Sequence, residues 1–160
     1  MIRLARPDDL QEILSVYAIA RTFMAEHGNP TQWGNTYPAR ELLEEDIRLG
    51  QLYVDEWEGK IDGVFAYIPG DDPTYQIIDG AWISDMPYAA IHRVAGSGKR
   101  SGTLGRCLAY CRARTPHIRI DTHEDNTVMQ SVLAKHGFKY CGTIYLANGD
   151  PRRAYELIIN

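Results

Sequence analysis

The segment between Tyr88 and Gly137 constrains the fold most, because strand and helix patterns alternate along it. The strand "YAAIHRVA" leads into the glycine-rich loop "GSGKRSGTLG" and a helix, and the strand "HIRIDT" is followed by the helix "NTVMQSVLAKHG". The helix after the loop has a core stripe of Leu104, Cys107, Leu108 and Cys111. A strand, a crossover helix and a second strand predict a parallel pair in one sheet.

The rest of the chain predicts antiparallel pairs on both sides of this unit. "IRLAR" is a short strand, and two helices follow over "PDDLQEILSVYAIARTFMAEHG" and "ARELLEEDIRLG". "QLYVDEW" and "KIDGVFAYI" predict a hairpin, a long connection spans residues 69–87, and "FKYCGTIYL" and "RAYELII" predict a final hairpin. The 160 residues suit one domain. We therefore expect a single α/β domain over 1–160, with a mixed sheet of about seven strands and four helices.

Composition excludes several classes of protein. The net charge of −4 argues against a nucleic-acid binder, and no apolar run approaches the roughly 20 residues of a membrane span. Three cysteines, an odd number, do not make a disulfide framework, so we expect a cytoplasmic protein. Cys107 and Cys111 lie four residues apart on one helix face and fit a core better than a metal site, so no metal is expected.

The glycine-rich loop suggests phosphate binding but fails both nucleotide motifs. In a Walker loop, a glycine would occupy the position of Arg93 and a hydroxyl the position of Arg100. Gly96, Gly98 and Gly102 are spaced one residue too long for a dinucleotide fingerprint. What remains is a cationic loop before a helix, whose free N–H groups and dipole favour an anion.

Two motifs resemble those of the GNAT-type N-acetyltransferase superfamily. "KRSGTL" resembles the loop pattern Q/R-x-x-G-x-G/A, with Lys99 at the cationic position and Gly102 at the first glycine. "EDNTVMQSVLAKHGF" resembles N-x-x-A-x-x-L-Y-x-K-x-G-F, and its matching positions are Asn126, Lys135, Gly137 and Phe138. The sequence departs from these patterns at Leu104 (for Gly or Ala), at Met129 (for Ala) and at Leu133 (for a tyrosine). The order of elements resembles the same fold over essentially the whole chain.

The resemblance implies transfer of acetyl from acetyl-CoA to the primary amine of a small molecule or peptide by direct attack. The residues it assigns to acetyl-CoA binding are Val94, Ala95, Gly98, Lys99, Arg100, Ser101, Gly102, Thr103, Leu104, Gly105 and Asn126. A strand bulge is expected to free a backbone N–H near Val94 or Ala95 that polarises the thioester. Leu133 stands where the superfamily often has the tyrosine that protonates the thiolate, and Tyr140 or Tyr145 could replace it.

Proton transfer requires a side chain near the amine. Period-two geometry places Tyr88, Ala90, His92 and Val94 on one face of their strand. His92 is the first candidate for the base, although a hydrogen-bonded structural histidine fits equally well. Arg93 points to the other face and is expected to pair with a carboxylate such as Asp121.

The sequence offers further candidates for the site. Tyr88, Glu26 and His123 are secondary catalytic candidates, and Phe23, Trp33 and Tyr37 could wall an acceptor pocket. Residues 41–85 hold twelve acidic residues against two cations, which favours a cationic acceptor. A non-catalytic acyl-CoA-binding module remains the alternative. We expect a monomer or homodimer with no nucleic-acid or membrane partner.

Overall fold

A computed structural model provides the structure of residues 1–159. Within them, the helices are α1 Leu10–Glu26, α2 Arg40–Arg48, α3 Thr103–Arg112 and α4 Thr127–Lys135. The strands are β1 Ile2–Leu4, β2 Leu52–Trp57, β3 Lys60–Pro69, β4 Asp79–Gly80, β5 Ala89–Gly96, β6 His117–Thr122, β7 Lys139–Tyr145 and β8 Pro151–Ile158. The mixed α/β fold with four helices is confirmed, and the sheet has eight strands instead of about seven.

The strands form one sheet in the order β1-β2-β3-β5-β6-β8-β7-β4. Among the strand pairs of the described residues, only β5–β6 is parallel. The additional strand β4 lies inside the long connection and pairs with β7 at the edge of the sheet. A Cβ on Gly80 would stand 2.2 Å from the carbonyl oxygen of Cys141, so only glycine fits there. A strand of two residues has no alternation that a sequence pattern could reveal.

A cleft opens in the middle of the sheet. β5 and β6 pair only through Ala89 and Ala90, near the start of β5. Farther along β5, the antiparallel register with β3 shifts at Arg93, which has a φ of 55°. Such a bulge places two residues opposite one and bends the strand. The two central strands therefore separate toward the end at which the glycine-rich loop begins.

The two faces of the sheet carry different cores. α3 and α4 pack on one face through Leu104, Cys107, Leu108, Cys111 and Leu133, all buried. On the other face, Ile13, Tyr17 and Leu43 from α1 and α2 cover the first strands. Residues 70–87 cover the remaining strands of that face and contribute the buried Tyr75. No helix among residues 1–159 has the length and apolar character that a membrane span requires.

A buried polar cluster holds residues 70–87 against the sheet. Glu156 on β8 contacts both His117 and Arg119 of β6. The Ile83 amide donates to the Glu156 carboxylate at 2.6 Å, and Arg119 donates to the Ser84 carbonyl at 2.7 Å. Arg119 and Glu156 are both buried and contact each other, so neither charge is left without a partner. This segment is thereby fixed as one wall of the cavity described below.

Candidate active site

The N-terminus of α3 presents a row of free backbone amides. Gly102 precedes α3 with a φ of 84°, a left-handed conformation that glycine adopts without strain. In the part of the chain that the structure describes, the amides of residues 100–105 donate to no protein group. Leu104 directs its side chain into the core, which leaves its amide in this row. Free amides at a helix N-terminus form an anion site, so this loop fits a diphosphate.

Four charged side chains and one serine fix the glycine-rich loop. The Asp62 carboxylate accepts hydrogen bonds from Ser97 Oγ at 2.7 Å, Arg100 Nε at 2.8 Å and Arg106 Nη2 at 3.1 Å. Both arginines also donate to Asp55. Burial alone would raise the pKa of Asp62, but hydrogen bonds from Arg100 and Ser97 outweigh it and lower the pKa below 3.8. The charged network holds the loop against the β2–β3 hairpin.

A cavity of about 650 Å³ occupies the cleft between β5 and β6. The α1–α2 connection, the segment 70–87, the β7–β8 hairpin and the start of α4 complete its walls. Trp33 and Tyr37 contribute aromatic surface, His92 contributes an imidazole, and Asp121 and Arg152 contribute charge. The cavity thus joins an apolar wall to several polar groups that face one another, as ligand sites do.

Two carboxylates flank His92 inside this cavity. His92 Nε2 lies 2.7 Å from Asp72 Oδ2, and Nδ1 lies 3.8 Å from Asp121 Oδ2. The first distance is a hydrogen bond and the second is too long for one. Tyr75 donates its hydroxyl proton to Asp121 Oδ2 at 2.7 Å. Nδ1 is therefore the ring nitrogen open to a ligand. No three potential ligands among residues 1–159 are arranged to hold a metal ion.

The surroundings of Asp72 determine which nitrogen of His92 carries the proton. Asp72 Oδ1 accepts from the amide and the hydroxyl of Thr74, at 2.9 and 2.7 Å. Burial alone would raise the pKa of Asp72, but hydrogen bonds from His92 and Thr74 lower it to about 2. An ionised carboxylate only accepts, so Nε2 must donate, and Nδ1 carries the lone pair of the neutral ring.

Solved structures show the family of this chain. A GNAT-family acetyltransferase from Streptococcus agalactiae 2603 matches 100% of this chain and 95% of its own, with 33% identity and a TM-score of 0.89. The chain belongs to the GNAT acetyltransferase family. A GNAT-family acetyltransferase from Listeria monocytogenes 4b F2365 shares the fold at 22% identity, with a TM-score of 0.70 over 99% of this chain and 94% of that one.

A ribosomal-protein-alanine N-acetyltransferase from Brucella melitensis likewise shares the fold, with 20% identity and a TM-score of 0.64 over 99% of each chain. No protein-family model matches the sequence, and a search of curated proteins found no match. The assignment to the GNAT family therefore depends on the solved structures. At 20% identity, the Brucella enzyme shows only that the two chains share a fold. The acceptor of this GNAT-family chain has to be inferred from its own residues.

In this GNAT-family chain, five of the predicted site residues line the cavity. They are Trp33, Tyr37, His92, Val94 and Asn126. Val94 packs against the α3–α4 core, whereas Ala95 belongs to the opposite core. The prediction that Val94 shares a face with His92 is therefore wrong. The reason is the bulge at Arg93, which adds one residue and reverses the alternation beyond it.

Four of the catalytic and acceptor-pocket candidates lie outside the cavity lining. The Tyr88 hydroxyl accepts the Asp72 amide at 2.7 Å, so Tyr88 supports the residue that holds His92. Phe23 stacks on His27 at the exposed end of α1, where Glu26 is also exposed. His123 Nδ1 accepts the Asp125 amide at 3.0 Å, in the turn after β6.

Arg93 does not pair with Asp121. Its guanidinium donates two hydrogen bonds to the buried Asp46 of α2, at 2.9 and 3.0 Å, and a third to the Tyr37 hydroxyl at 3.3 Å. The Arg93 carbonyl accepts the Tyr17 hydroxyl at 2.7 Å. The positive φ at the bulge turns Arg93 toward α2, which sequence alternation could not anticipate.

The two neighbouring cations of the glycine-rich loop, Lys99 and Arg100, have different surroundings. Arg100, predicted to contribute charge to a bound diphosphate, directs its guanidinium to Asp55 and Asp62 and stacks on Trp57 at 4.8 Å. Lys99 is exposed. The cationic position of the family pattern thus lies at the surface of the loop, whereas the neighbouring arginine contributes to its internal support.

The family's second motif has a structural role here. Asn126 caps α4 by accepting the Met129 amide at 3.0 Å, and it donates to Gln32 at 3.0 Å. Leu133 is fully buried in the α3–α4 core. Neither Tyr140 nor Tyr145 lines the cavity, so neither replaces the family's tyrosine in this arrangement.

The sequence patterns did not indicate four charged residues of the cavity, which are Asp72, Asp121, Asp150 and Arg152. Asp72 precedes Pro73 within the long connection, where it caps a short 3-10 turn, and that capping position was the available signal. Asp121 was noticed only as a partner for Arg93. Arg152 follows a turn and resembles its neighbour Arg153, and no local pattern distinguishes them.

Proposed function

We propose that this chain transfers acetyl from acetyl-CoA to the primary amine of a small molecule or peptide. The observation that supports it best is the continuity of β5, which carries His92 into the cavity and ends at the loop with free amides. Two further observations support acetyl-CoA as the co-substrate: the chain belongs to an acetyltransferase family, and its loop fits a diphosphate. Acetyl-CoA supplies a thioester, whose acetyl carbon bonds to the amine nitrogen while its carbon–sulfur bond breaks.

The loop and the bulge would position the thioester. Amides of residues 100–105 hold the diphosphate without a metal, because the helix dipole and N–H groups favour negative charge. The bulge at Arg93 and Val94 interrupts the ladder with β3, which leaves a residue without a cross-strand partner. A backbone N–H freed there can donate to the carbonyl oxygen as negative charge develops. Such a donor contributes about 3 kcal/mol to catalysis.

The Asp72–His92 pair would act as the base. A lysine-like amine has a pKa of about 10.4 and is mostly protonated at neutral pH. Asp121 can hold this ammonium group next to Nδ1 of His92, which accepts the proton. Asp72 then stabilises the imidazolium through its 2.7 Å hydrogen bond. The arrangement follows the general pattern of a base oriented by a carboxylate.

The departing thiol needs no dedicated acid. Leu133 lies in the core where the family often has a tyrosine. A thiol pKa of about 8.5 means that expulsion as thiolate near pH 7 costs only about 2 kcal/mol. The thiolate can then take the proton that left the amine. Loss of the tyrosine therefore slows the reaction without preventing it.

Detection of free thiol tests this function. Acetyl-CoA is mixed with a panel of amines, polyamines, amino acids and peptides, and thiol release is followed over time. We expect acceptor-dependent release that His92→Gln reduces by about 100-fold or more, while His27→Gln on the exposed end of α1 has no effect. Binding of acetyl-CoA without release for any acceptor would favour the alternative, a non-catalytic acyl-CoA-binding module, which the buried Leu133 also favours.

A further inference from the structure

Arg152 is a buried cation without an anionic partner among residues 1–159. Its side chain lines the cavity, and the residue is only 7% exposed. Nη1 donates to the Pro151 carbonyl at 2.8 Å and Nη2 to the Gln32 carbonyl at 3.3 Å. Within residues 1–159, no carboxylate lies within 4.0 Å of this guanidinium. Arg152 therefore differs from Arg119, which is equally buried and contacts Glu156.

Burial of an unpaired charge is costly unless a ligand compensates it. A guanidinium has five N–H donors in a planar arrangement. In Arg152, only Nη1 and Nη2 donate to carbonyl oxygens, with one hydrogen bond each. The remaining donors suit a carboxylate or a phosphate, which a fork binds in two-point geometry. Asp150 also lines the cavity, but its carboxylate accepts from Asn148 and lies more than 4.0 Å from the Arg152 guanidinium. The cavity thus contains a prepared site for an anionic group.

The sheet register relates this site to His92. Ala154 lies opposite Asp121 in the β6–β8 pair, and Arg152 is two residues earlier on the same side of β8. Diagonal neighbours of this kind have Cα atoms about 7–8 Å apart. Ala90 and Ala154 share one core, which places His92 and Arg152 on the same face of the sheet. A small ligand can therefore contact Arg152 at one end and the Asp121–His92 pair at the other.

We infer that the acceptor carries an anionic group, a carboxylate or a phosphate, in addition to its amine. Arg152 binds the anion, and Asp121 with His92 receives the amine. This inference rests on the proposed function and narrows its acceptor to amino-acid-like or phosphorylated amines. The opposite signs at the two ends of the cavity fix the orientation of the acceptor, so the amine faces the base and the thioester.

Matched acceptors test the inference in the wild-type chain. Each amino acid is compared with its carboxamide, and each O-phosphorylated amino alcohol with the free alcohol, by thiol release from acetyl-CoA. We expect kcat/KM to be about 10- to 100-fold higher for the anionic member of one series, and the series that shows the preference identifies the anion. Equal rates within both pairs would overturn the inference and leave the proposed function intact.

Variants assign the preference to a residue. Arg152→Gln should abolish the difference between acid and carboxamide, whereas Arg153→Gln should keep it, because Arg153 stacks on Tyr140 outside the cavity lining. Retained preference in a folded Arg152→Gln would contradict the assignment. If Arg152→Gln does not fold, as judged by circular dichroism, Arg152→Lys replaces it. This variant keeps the charge but loses the fork, and we expect a reduced preference; an unchanged one would contradict the assignment.

A binding measurement separates this inference from the proposed function. N-acetyl amino acids and N-acetylated phosphorylated amines carry the anion without a free amine, and calorimetry gives their affinity without any reaction. We expect one of the two classes to bind wild type and Arg153→Gln alike and to bind Arg152→Gln about tenfold or more weakly. If no amine supports thiol release but this pattern holds, the anion site stands and the proposed function fails. Absence of binding by both classes would overturn the anion site.

Discussion

Substitution of Asp72 by asparagine should disable His92 with almost no change in shape. Asp72 Oδ1 accepts two hydrogen bonds from Thr74, so the amide oxygen of the substituted side chain would take that position. Its NH₂ group would then face His92 Nε2, 2.7 Å away in the native pair. Because NH₂ donates, Nε2 must accept and the ring proton moves to Nδ1. The nitrogen that faces Asp121 then no longer has a lone pair for the amine proton.

The size of the effect follows from these contacts. A hydrogen bond between charged groups contributes about 1.5–3 kcal/mol, and loss of that stabilisation of the imidazolium alone lowers the rate about 10- to 150-fold. The reversed tautomer removes the base as well, and a general base contributes about 100- to 10,000-fold. We therefore expect kcat to fall by about 100-fold or more. The KM for acetyl-CoA should stay the same, because the proposed diphosphate site lies in the loop before α3.

Thiol release across a range of pH measures this effect, with the acceptor that the amine panel identifies. Asp71→Asn is the matched control, since Asp71 is exposed and carries the same charge one residue earlier. Nitrogen-15 NMR of the histidine rings reports the tautomer of His92 without any acceptor. A kcat for Asp72→Asn within about threefold of wild type, with the proton still on Nε2, would refute the role of the pair.

Three further substitutions test the supports of the site. Gly102→Ala forces a side chain into a φ of 84°. Urea denaturation should show a loss of about 1–2 kcal/mol in the free energy of unfolding, and titration of the rate with acetyl-CoA should show a higher KM. Asp62→Asn should lower the free energy of unfolding, measured with urea, by about 1–3 kcal/mol. Because the pKa of Asp62 in the folded protein lies below 3.8, this difference from wild type should be present above pH 3.8. It should disappear as the pH falls through the folded pKa. Arg93→Met leaves the Asp46 carboxylate buried without its guanidinium, so we expect a loss of about 3–5 kcal/mol; an unchanged urea midpoint would contradict the pairing.

The crossover unit was predictable because its signals are local. Strand and helix periodicity, the glycine before α3 and the motif residue Asn126 lie within a few residues of the elements they mark. Alternation also placed His92 on the same face as Ala90. It failed beyond Arg93, because a bulge changes the count by one residue and leaves no compositional mark. The short strand β4 was not predicted for a similar reason, because two residues are too few to show an alternating pattern.

Sequence alone determined the mixed α/β fold, the glycine-rich loop before a helix and the family resemblance, because helices, strands and caps depend on neighbouring residues. Tertiary structure decided the partners of the charges. Asp72 and His92 are 20 residues apart, Arg93 and Asp46 are 47 apart, and Gln32 and Arg152 are 120 apart. Such pairs form only when packing brings distant segments together, and burial then determines whether a charge is neutralised by the protein or, as at Arg152, left for a ligand.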